Sequence, residues 1–286
     1  MKIFIAGGSG VIGRRVVPML RSQGHEVTAP SSSEVSVFSP GNALRGHDVV
    51  INLATRIPPA SKAMMPGAWR ATAKIRREAS AILIKAAAAA GVKRFIQESF
   101  APIYAAQGDR WIDETSPIKP ARYNRAIADA ERNAASFPGD WVVLRFAFFY
   151  GPDSDFTQQM MGMVRKGWAA SFGSPDGFIS SVSHDDAAAA VVAALTIPPG
   201  IYNVVDDEPL TKRDFNNALA DALGVKHPRF LPSWVRYFAG SLGETLARSQ
   251  RISNRKLREA SSWRPVHPSA SDGWRSVVSS CSSRSH

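Results

Sequence analysis

The first fourteen residues constrain the fold more than any other part of this chain. An apolar run over residues 2–6 breaks into the glycine-rich segment 7–13, and a helix-like segment follows over residues 14–20. Gly7, Gly10 and Gly13 allow a tight turn, a close approach of backbone N–H groups to a diphosphate, and close packing of the next helix on the sheet. The N terminus of that helix also favours phosphate. The segment therefore predicts a strand, a phosphate-binding turn and a helix.

The residues around this turn strengthen the prediction. A glycine triplet alone is weak, because the same spacing occurs in turns that bind nothing. Here Gly24 can end the helix, and a second strand candidate follows at residues 25–29. We therefore expect a dinucleotide-binding unit and keep a purely structural turn as the alternative.

Composition predicts a globular, cytoplasmic protein. The chain has 286 residues with 44% hydrophobic and 21% charged residues, which fits one large α/β domain or such a domain with a smaller lobe. No apolar run approaches the roughly 20 residues of a membrane helix, and the short apolar segment at the start carries no cleavage pattern. Cys281 is the one cysteine. It excludes an intrachain disulfide, and without a Cys/His cluster we expect no metal site.

The chain is basic, and the excess is concentrated near its end. The formal net charge is +11, and residues 226–286 hold eleven Lys/Arg against three acidic residues, a difference of +8. Such a lobe can attract an anionic substrate or a polyanion. Scattered arginines on a solvated face are the alternative. No nucleic-acid motif accompanies the charge, so a nucleic-acid partner is not expected.

Strand and helix patterns alternate through the first half of the chain, which predicts a parallel sheet with helices on both faces. The predicted strands cover residues 47–54, 92–97, 141–146 and 201–205, and the predicted helices include 66–90 and 211–223, with Thr211 as N-cap. We expect a core over residues 1–150, a smaller and partly interleaved lobe over 151–275, and a disordered tail over 276–286.

Seven ordered motifs extend over nearly the whole length. They are residues 7–13, Asp48–Ala54, Gly91–Ile96, Arg145–Pro152, Ser183–Asp186, Tyr202–Val204 and Trp263–Pro265. With these motifs the chain resembles an extended or atypical member of the short-chain dehydrogenase/reductase superfamily, in the NAD(P)-dependent epimerase/dehydratase family. The resemblance implies an α/β fold, with a Rossmann-type doubly wound parallel sheet that binds NAD(P) and a smaller C-terminal α+β lobe that binds the substrate.

The resemblance also implies a set of cofactor-binding residues. They are Gly7, Ser9, Gly10, Val11, Ile12, Gly13 and Arg14 at the turn, Ser32 after the second strand, Leu53, Ala54 and Thr55 after the third strand, and Phe146 and Phe149 near the nicotinamide. Residues 29–33 contain no carboxylate to accept from the ribose hydroxyls of NAD or to repel a 2′-phosphate, and Arg14 can pair with that phosphate. We predict NADP or NAD as cofactor, with NADP preferred.

The catalytic residues of the family are only partly retained. The family uses a hydroxyl residue, a tyrosine acid/base, and a lysine four residues later that lowers the tyrosine pKa. Tyr123 matches the tyrosine, but Ile127 occupies the lysine position. Phe100 occupies the hydroxyl position, with Ser99 one residue earlier. We predict that Tyr123 exchanges the proton and Ser99 assists, with a buried structural role as the alternative for each.

These features predict an atypical oxidoreductase or epimerase-like protein that binds NAD(P)(H) and acts on a small carbonyl or hydroxyl compound. The alternative is a non-redox enzyme or a cofactor-sensing binding module on the same fold, because an isoleucine at position 127 cannot stabilise a phenolate. A small molecule is the expected partner, and a membrane is not expected. The sequence leaves both a monomer and a homodimer open.

Overall fold

Six parallel strands form the central sheet. The structure, a computed structural model, describes residues 1–31, 33–232 and 240–282. The strands are β1 (Lys2–Ala6), β2 (Glu26–Thr28), β3 (Val49–Asn52), β4 (Arg94–Phe100), β6 (Asp140–Phe146) and β10 (Gly200–Val204), in the order β10-β6-β4-β3-β1-β2. Because β2 and β3 lie on opposite sides of β1, the strand order reverses there. Parallel sheets leave a ligand crevice beyond the carboxyl ends of the strands at such a point.

The register of the sheet follows from its apolar strands. Ile51 lies between Ile5 on one neighbouring strand and Ile96 on the other, and all three side chains are fully buried. Continuous burial is expected for a parallel strand that is covered on both faces. The predicted doubly wound sheet is confirmed.

Helices cover both faces of this sheet. On one face, α1 (Gly13–Ser22) and α6 (His184–Ala193) pack against Ile3 and Ile5. On the other, α3 (Ser80–Ala89) and α4 (Ala126–Ala135) pack near Phe4 and Val143. Successive residues of β1 thus belong to different apolar clusters, as the two-residue period of a strand requires.

The helix predicted over residues 66–90 is observed in three parts. It consists of α2 (Arg70–Lys74), a π-helical turn (Ile75–Ala79) and α3. Such turns are rare and often lie at functional sites. This one carries Arg76, which is buried and pairs with Glu98 on β4 at 2.9 Å.

The second half of the chain adds shorter elements and a separate apolar cluster. Its helices are α5 (Asp155–Arg165), α7 (Lys212–Leu223), α8 (Gly240–Ala247), α9 (Arg255–Ala260) and α10 (Ala270–Ser282). Two-stranded pairs join β7 (Phe148–Tyr150) to β9 (Ser181–Ser183), β8 (Phe178–Ile179) to β11 (Leu210–Thr211), and β5 (Trp111–Ile112) to β12 (Arg251–Ile252). Tyr150, Phe215 and Trp274 form the centre of the separate cluster. None of the helices in the described ranges is long and apolar enough to cross a bilayer.

The predicted disordered tail is partly helical. Residues 276–282 form the second half of α10, whereas 283–286 lie outside the described residues. The reason is a three- and four-residue spacing of apolar side chains: Trp274, Val277, Val278 and Cys281 pack together against the smaller cluster. Serines between these positions made the segment look unstructured in the sequence.

Candidate active site

The glycine turn is folded so tightly that no side chain can replace Gly7 or Gly13. Gly7 has φ +84°, and a Cβ there would lie 2.7 Å from the carbonyl carbon of Leu53. A Cβ on Gly13 would lie 2.3 Å from the carbonyl oxygen of Gly7. The N–H of Gly10 donates to that same carbonyl at 3.0 Å. The turn therefore needs glycine for its own closure at Gly7 and Gly13, and it brings β1 directly against the end of β3.

The first turn of α1 contains no acidic residue of its own. The N-cap residue of the helix is Ile12, and no side chain caps the helix. Ser9 and Gly10 are exposed in front of it, and Val11 and Ile12 are half-buried. A helix end of this kind offers backbone N–H groups and partial positive charge to an anion. The turn therefore fits the diphosphate of a dinucleotide.

The segment after β3 borders the same crevice. Leu53, Ala54 and Thr55 are partly exposed, and the N–H of Leu53 donates to the carbonyl of Ala6 at 2.9 Å. Asn52 accepts from the N–H of Ala54 at 3.2 Å and donates to Gln97 at 2.9 Å. The predicted cofactor residues at Gly7 and residues 53–55 are thus adjacent, and the buried Asn52–Gln97 pair fixes the turn between β3 and the following loop.

The two arginines that follow the glycine turn are bound by one carboxylate. Asp153 accepts from Arg14 at 3.1 Å and from Arg15 at 2.9 and 3.0 Å. Burial alone would raise the pKa of Asp153, but the hydrogen bond and charge of Arg15 lower that pKa to about 2. Arg14 is therefore ion-paired in this structure, although its side chain remains half-exposed, and its predicted contact with a 2′-phosphate stays a prediction.

A buried histidine completes this cluster. Nδ1 of His184 lies 3.1 Å from Asp153, and its ring centroid lies 6.0 Å from that of Phe149. Burial and then the charge of Arg15 lower the pKa of His184, against the opposing effect of Asp153. The imidazole is therefore neutral near physiological pH.

The two phenylalanines predicted near the nicotinamide differ in accessibility. Phe149 is partly exposed, but Phe146 is fully buried in the main apolar cluster. Their ring centroids are 5.3 Å apart. The side chain of Phe146 therefore cannot line the cofactor crevice, which corrects that prediction. Phe146 lies at the end of β6, where residues 142–146 are all buried, and the sequence motif did not indicate this burial.

The loop after β2 contains a carboxylate, Glu34, directly after the carboxylate-free residues 29–33. Ser32, predicted to bind the cofactor, lies outside the described residues. Glu34 accepts from the N–H of Ser31 at 2.6 Å and from its hydroxyl at 3.0 Å. The backbone hydrogen bond from Ser31 lowers the pKa of Glu34. An ionised carboxylate thus folds back to the end of β2.

Ser99, predicted to assist catalysis, is held in a buried network. Its hydroxyl donates to Glu131 on α4 at 2.5 Å, and its side chain is 1% exposed. Arg145 makes two further bonds to Glu131, at 2.8 and 2.7 Å, and one to the hydroxyl of Tyr104. That hydroxyl in turn donates to Asn203. The structure therefore does not bring Ser99 into the crevice, because alternate residues of β4 face opposite sides of the sheet.

Tyr123 lies at the entrance of α4 and faces a cavity. It is partly exposed in the short 3-10 turn Arg122–Asn124, and its ring meets that of Trp69 edge to face, with centroids 4.8 Å apart. Burial raises the pKa of Tyr123 to about 12, and the nearby Thr245 hydroxyl and the charge of Arg76 only partly oppose this. The phenol therefore keeps its proton at neutral pH.

The position of the missing lysine is closed to solvent. Ile127 is fully buried on α4, so the residue four positions after Tyr123 contributes packing and no charge. The cationic group whose charge most opposes the rise in the Tyr123 pKa is Arg76, which the sequence did not single out. In the sequence Arg76 lies among other charged residues of a helical segment, so nothing distinguished it.

The cavity beside Tyr123 was also missed from the sequence. It has a volume of about 500 Å³ and is lined by residues 63–67, 69, 70 and 73, by Arg122 and Tyr123, and by 240–242. Ligand sites typically have volumes of about 300–1,000 Å³. Three distant chain segments meet here, so no local pattern could have predicted the cavity. In the sequence, the only trace of the cavity is the pair of adjacent methionines at 64 and 65, which the structure shows to be exposed.

The comparisons with known proteins agree in one family. The model of the NAD dependent epimerase/dehydratase family matches residues 3–204. A 3-diazoavenalumate denitrifying reductase from a Streptomyces species is 33% identical, with 96% of this chain and 99% of that protein covered. An epimerase family protein of Mycobacterium bovis is 27% identical, over 81% of this chain and 82% of its own.

Solved structures share the fold of this protein. The human epimerase family protein SDR39U1, determined with NADPH, has a TM-score of 0.86 at 22% identity and covers 98% of this chain and 99% of its own. A UDP-glucose 4-epimerase of Thermus thermophilus, determined with NAD, has a TM-score of 0.75 at 24% identity and covers 98% of each chain. At these identities the similarity shows the fold alone.

Proposed function

Because this chain belongs to the NAD dependent epimerase/dehydratase family, we propose that it is an NAD(P)H-dependent reductase of a small, conjugated electrophile. The observation that carries the proposal is the position of Tyr123 in the lining of the cavity, where burial raises the pKa of its phenol to about 12. A phenol that keeps its proton can donate it to a carbonyl oxygen during reduction, but it is a poor base for the reverse oxidation. At neutral pH the tyrosine is therefore in the protonated form that reduction requires.

The residues of the crevice and of the cavity have separate tasks in this proposal. The turn over residues 7–13 and the end of α1 hold the diphosphate, and Leu53, Ala54 and Thr55 line the crevice next to it. When bound, the cofactor supplies a hydride. Tyr123 holds the proton that the reduced oxygen takes up, and Trp69 fixes the orientation of its ring. Ser99 has no part in this chemistry, since Glu131 binds its hydroxyl in the core.

The proposed cofactor is NADP(H) in preference to NAD(H). The absence of a carboxylate in residues 29–33 supports this choice, and Arg14 lies at the start of α1. Glu34 is the opposing group, because its ionised carboxylate lies at the end of β2. The preference is therefore expected to be modest, and it should increase when the charge of Glu34 is removed.

The deciding experiment measures NADPH oxidation with a panel of conjugated aldehydes and ketones, using the wild type, Tyr123→Phe and the control Tyr202→Phe. Tyr202 lies on the edge strand β10, where its hydroxyl donates to the carbonyl of Pro198. We expect Tyr123→Phe to lower kcat about a hundredfold, as for loss of a general acid, and Tyr202→Phe to have little effect. The wild-type rate should be flat from about pH 6 to about pH 9, because a phenol near pKa 12 does not titrate there.

A second candidate reaction needs no proton donor. Ile127 and the buried Ser99 leave the carbonyl-activating residues incomplete, and the 33% identical relative is named as a denitrifying reductase of a diazo compound. Replacement of a diazonium group by hydrogen consumes one hydride, forms one C–H bond, breaks one C–N bond and releases dinitrogen. An aryl diazonium salt therefore belongs in the same panel, with gas release as the readout.

The outcomes separate these functions. Loss of aldehyde reduction in Tyr123→Phe supports the carbonyl reductase. Dinitrogen release that survives Tyr123→Phe supports the second candidate. NADPH that binds without oxidation by any substrate would contradict both and favour a cofactor-sensing module.

A further inference from the structure

The cavity beside Tyr123 has an aromatic wall that is fixed in place. The indole N–H of Trp69 donates to the carbonyl of Ala63 at 2.8 Å, so its one polar atom is already paired. The ring packs edge to face on Tyr123 at 4.8 Å. Pairs of this kind hold both rings in a defined orientation. The wall thus presents flat apolar surface to whatever enters.

A flexible wall completes the apolar lining. Met64 and Met65 are 60% and 57% exposed, although methionine is usually buried. Both border the cavity, together with Leu242 from another part of the chain. Thioether groups adapt to ligand shape and make favourable contacts with aromatic rings. Two adjacent methionines exposed at a cavity therefore indicate a surface that a ligand covers.

Two guanidinium groups supply the charge of the cavity. Arg70 and Arg122 line it and are both exposed, and no described carboxylate forms an ion pair with either of them. Guanidinium groups bind carboxylates through paired N–H donors. The cavity thus has an unpaired cationic component beside its apolar walls.

The side chains of the lining offer few hydrogen-bond partners to a sugar. Among the described residues the lining contains no Asp, Glu, Asn or Gln. Sugar hydroxyls need such acceptors and amide partners, because buried polar groups without hydrogen bonds are costly. A nucleotide sugar, the ligand of several proteins with this fold, is therefore a poor match.

We infer that this cavity binds a planar aromatic or conjugated acid, with its ring between the methionines and Trp69 and its carboxylate at Arg70 and Arg122. The inference rests on the proposed reductase function only for what happens to the ligand after it binds. The positive charge of the whole chain, +11, would attract such an anion from a distance.

Calorimetry on the full chain tests the inference without turnover. The probes are trans-cinnamate, its neutral isostere cinnamamide and UDP-glucose, each titrated with and without NADP⁺. We expect cinnamate to bind about tenfold more tightly than cinnamamide, a difference of about 1.4 kcal/mol, and UDP-glucose to bind more weakly than either. Arg70→Gln and Arg122→Gln should each weaken cinnamate binding about threefold, typical of partly exposed ion pairs, and leave cinnamamide unchanged.

Two controls make the result specific. Arg45→Gln removes an exposed guanidinium that does not line the cavity and should leave all three affinities unchanged. A Met64→Ala/Met65→Ala double variant should weaken cinnamate and cinnamamide equally, because it removes apolar contacts and no charge.

The inference is overturned if neither aromatic probe binds, if cinnamate and cinnamamide bind equally, or if UDP-glucose binds most tightly. Equal loss of both aromatic probes in the arginine variants would also overturn the assigned carboxylate contact. These results are independent of catalysis. A protein that binds cinnamate through its arginines but never oxidises NADPH would keep this inference and lose the proposed function.

Discussion

At the scale of single residues, the side of a strand that a group occupies decides what it can do. Ser99 and Phe100 are neighbours at the end of β4, yet Ser99 faces α4 and donates to Glu131, whereas the ring of Phe100 lies 5.5 Å from that of Phe148. The hydroxyl of Ser99, one position before the expected hydroxyl residue, therefore lies in the core. Glu131 accepts from this hydroxyl and forms an ion pair with Arg145 at the same time.

Ser99→Ala should accordingly alter stability and leave turnover unchanged. The change removes one hydrogen bond to a carboxylate that keeps two bonds from Arg145, so we expect a loss of about 1–2 kcal/mol in the free energy of unfolding. Urea denaturation and steady-state kinetics on the same preparation check this. A tenfold fall in kcat with unchanged stability would instead indicate that Ser99 takes part in catalysis.

The strand, glycine turn and helix at the start of the chain could be predicted from the sequence because their signal is local. The spacing of Gly7, Gly10 and Gly13 fixes a backbone geometry by itself. The exclusion of Ser99 could not be predicted, because it depends on Glu131, a partner thirty-two residues away along the chain. The cavity depends on contacts between residues 63–73 and 240–242, which no local pattern reports.

At the scale of elements, one carboxylate joins two helix starts. Asp153 follows β7 and binds Arg14 and Arg15 in the first turn of α1 as well as His184, the first residue of α6. The position of the glycine turn relative to the second half of the chain therefore depends on this group. Helix starts with local caps were predictable, as at α7, where Thr211 accepts from the N–H of Asp214 at 3.1 Å. The contact between Asp153 and Arg15 could not be predicted, because the two residues are 138 positions apart in the sequence.

Asp153→Asn should lower stability in a pH-dependent way. The pKa of Asp153 is lowered to about 2 by Arg15, so its contribution is complete above its ordinary pKa of about 3.9 and is lost as the pH falls through about 2. Near pH 7 we expect the variant to be less stable by about 2 kcal/mol, and this difference should shrink below about pH 3 as the wild-type carboxylate takes up its proton.

Urea titrations of both proteins across this pH range measure that difference. Asp185→Asn is the matched control, because Asp185 also binds Arg15 but its side chain is 73% exposed, and exposed pairs contribute only about 0–1 kcal/mol. Equal effects of the two substitutions, or a difference that does not change with pH, would refute a special role for Asp153.

At the scale of the whole molecule, cofactor binding and stability are linked through the crevice beyond the carboxyl ends of β1 and β3. The crevice brings together the turn after β1 and the segment after β3. The N–H of Leu53 donates to the carbonyl of Ala6, and no side chain would fit between Gly7 and Leu53. A ligand that binds only the folded chain at about a hundredfold excess over its Kd stabilises it by about 2.7 kcal/mol. For a chain of this size that amounts to a rise of about 4–5 °C in Tm.

NADP⁺ should therefore raise the Tm of the wild type, and Gly10→Ala should remove about half of that rise. A methyl group on Gly10 would lie 3.2 Å from the carbonyl of Gly7, which a small shift accommodates, but it occupies the exposed face where the diphosphate would approach. We expect about tenfold weaker binding, with the Tm of the ligand-free variant close to that of the wild type. Gly162→Ala is the control, since a Cβ there meets no atom within 4 Å.

The same melting experiment tests the choice of cofactor. NADP⁺ should give a larger shift than NAD⁺, and Glu34→Gln should widen the gap, because the variant removes the charge that Ser31 holds at the end of β2. If NAD⁺ gives the larger shift and Glu34→Gln reduces it, the carboxylate accepts from the ribose of NAD and the preference is reversed. If neither nucleotide shifts the Tm and Gly10→Ala changes nothing, the turn serves only the packing of α1 on the sheet.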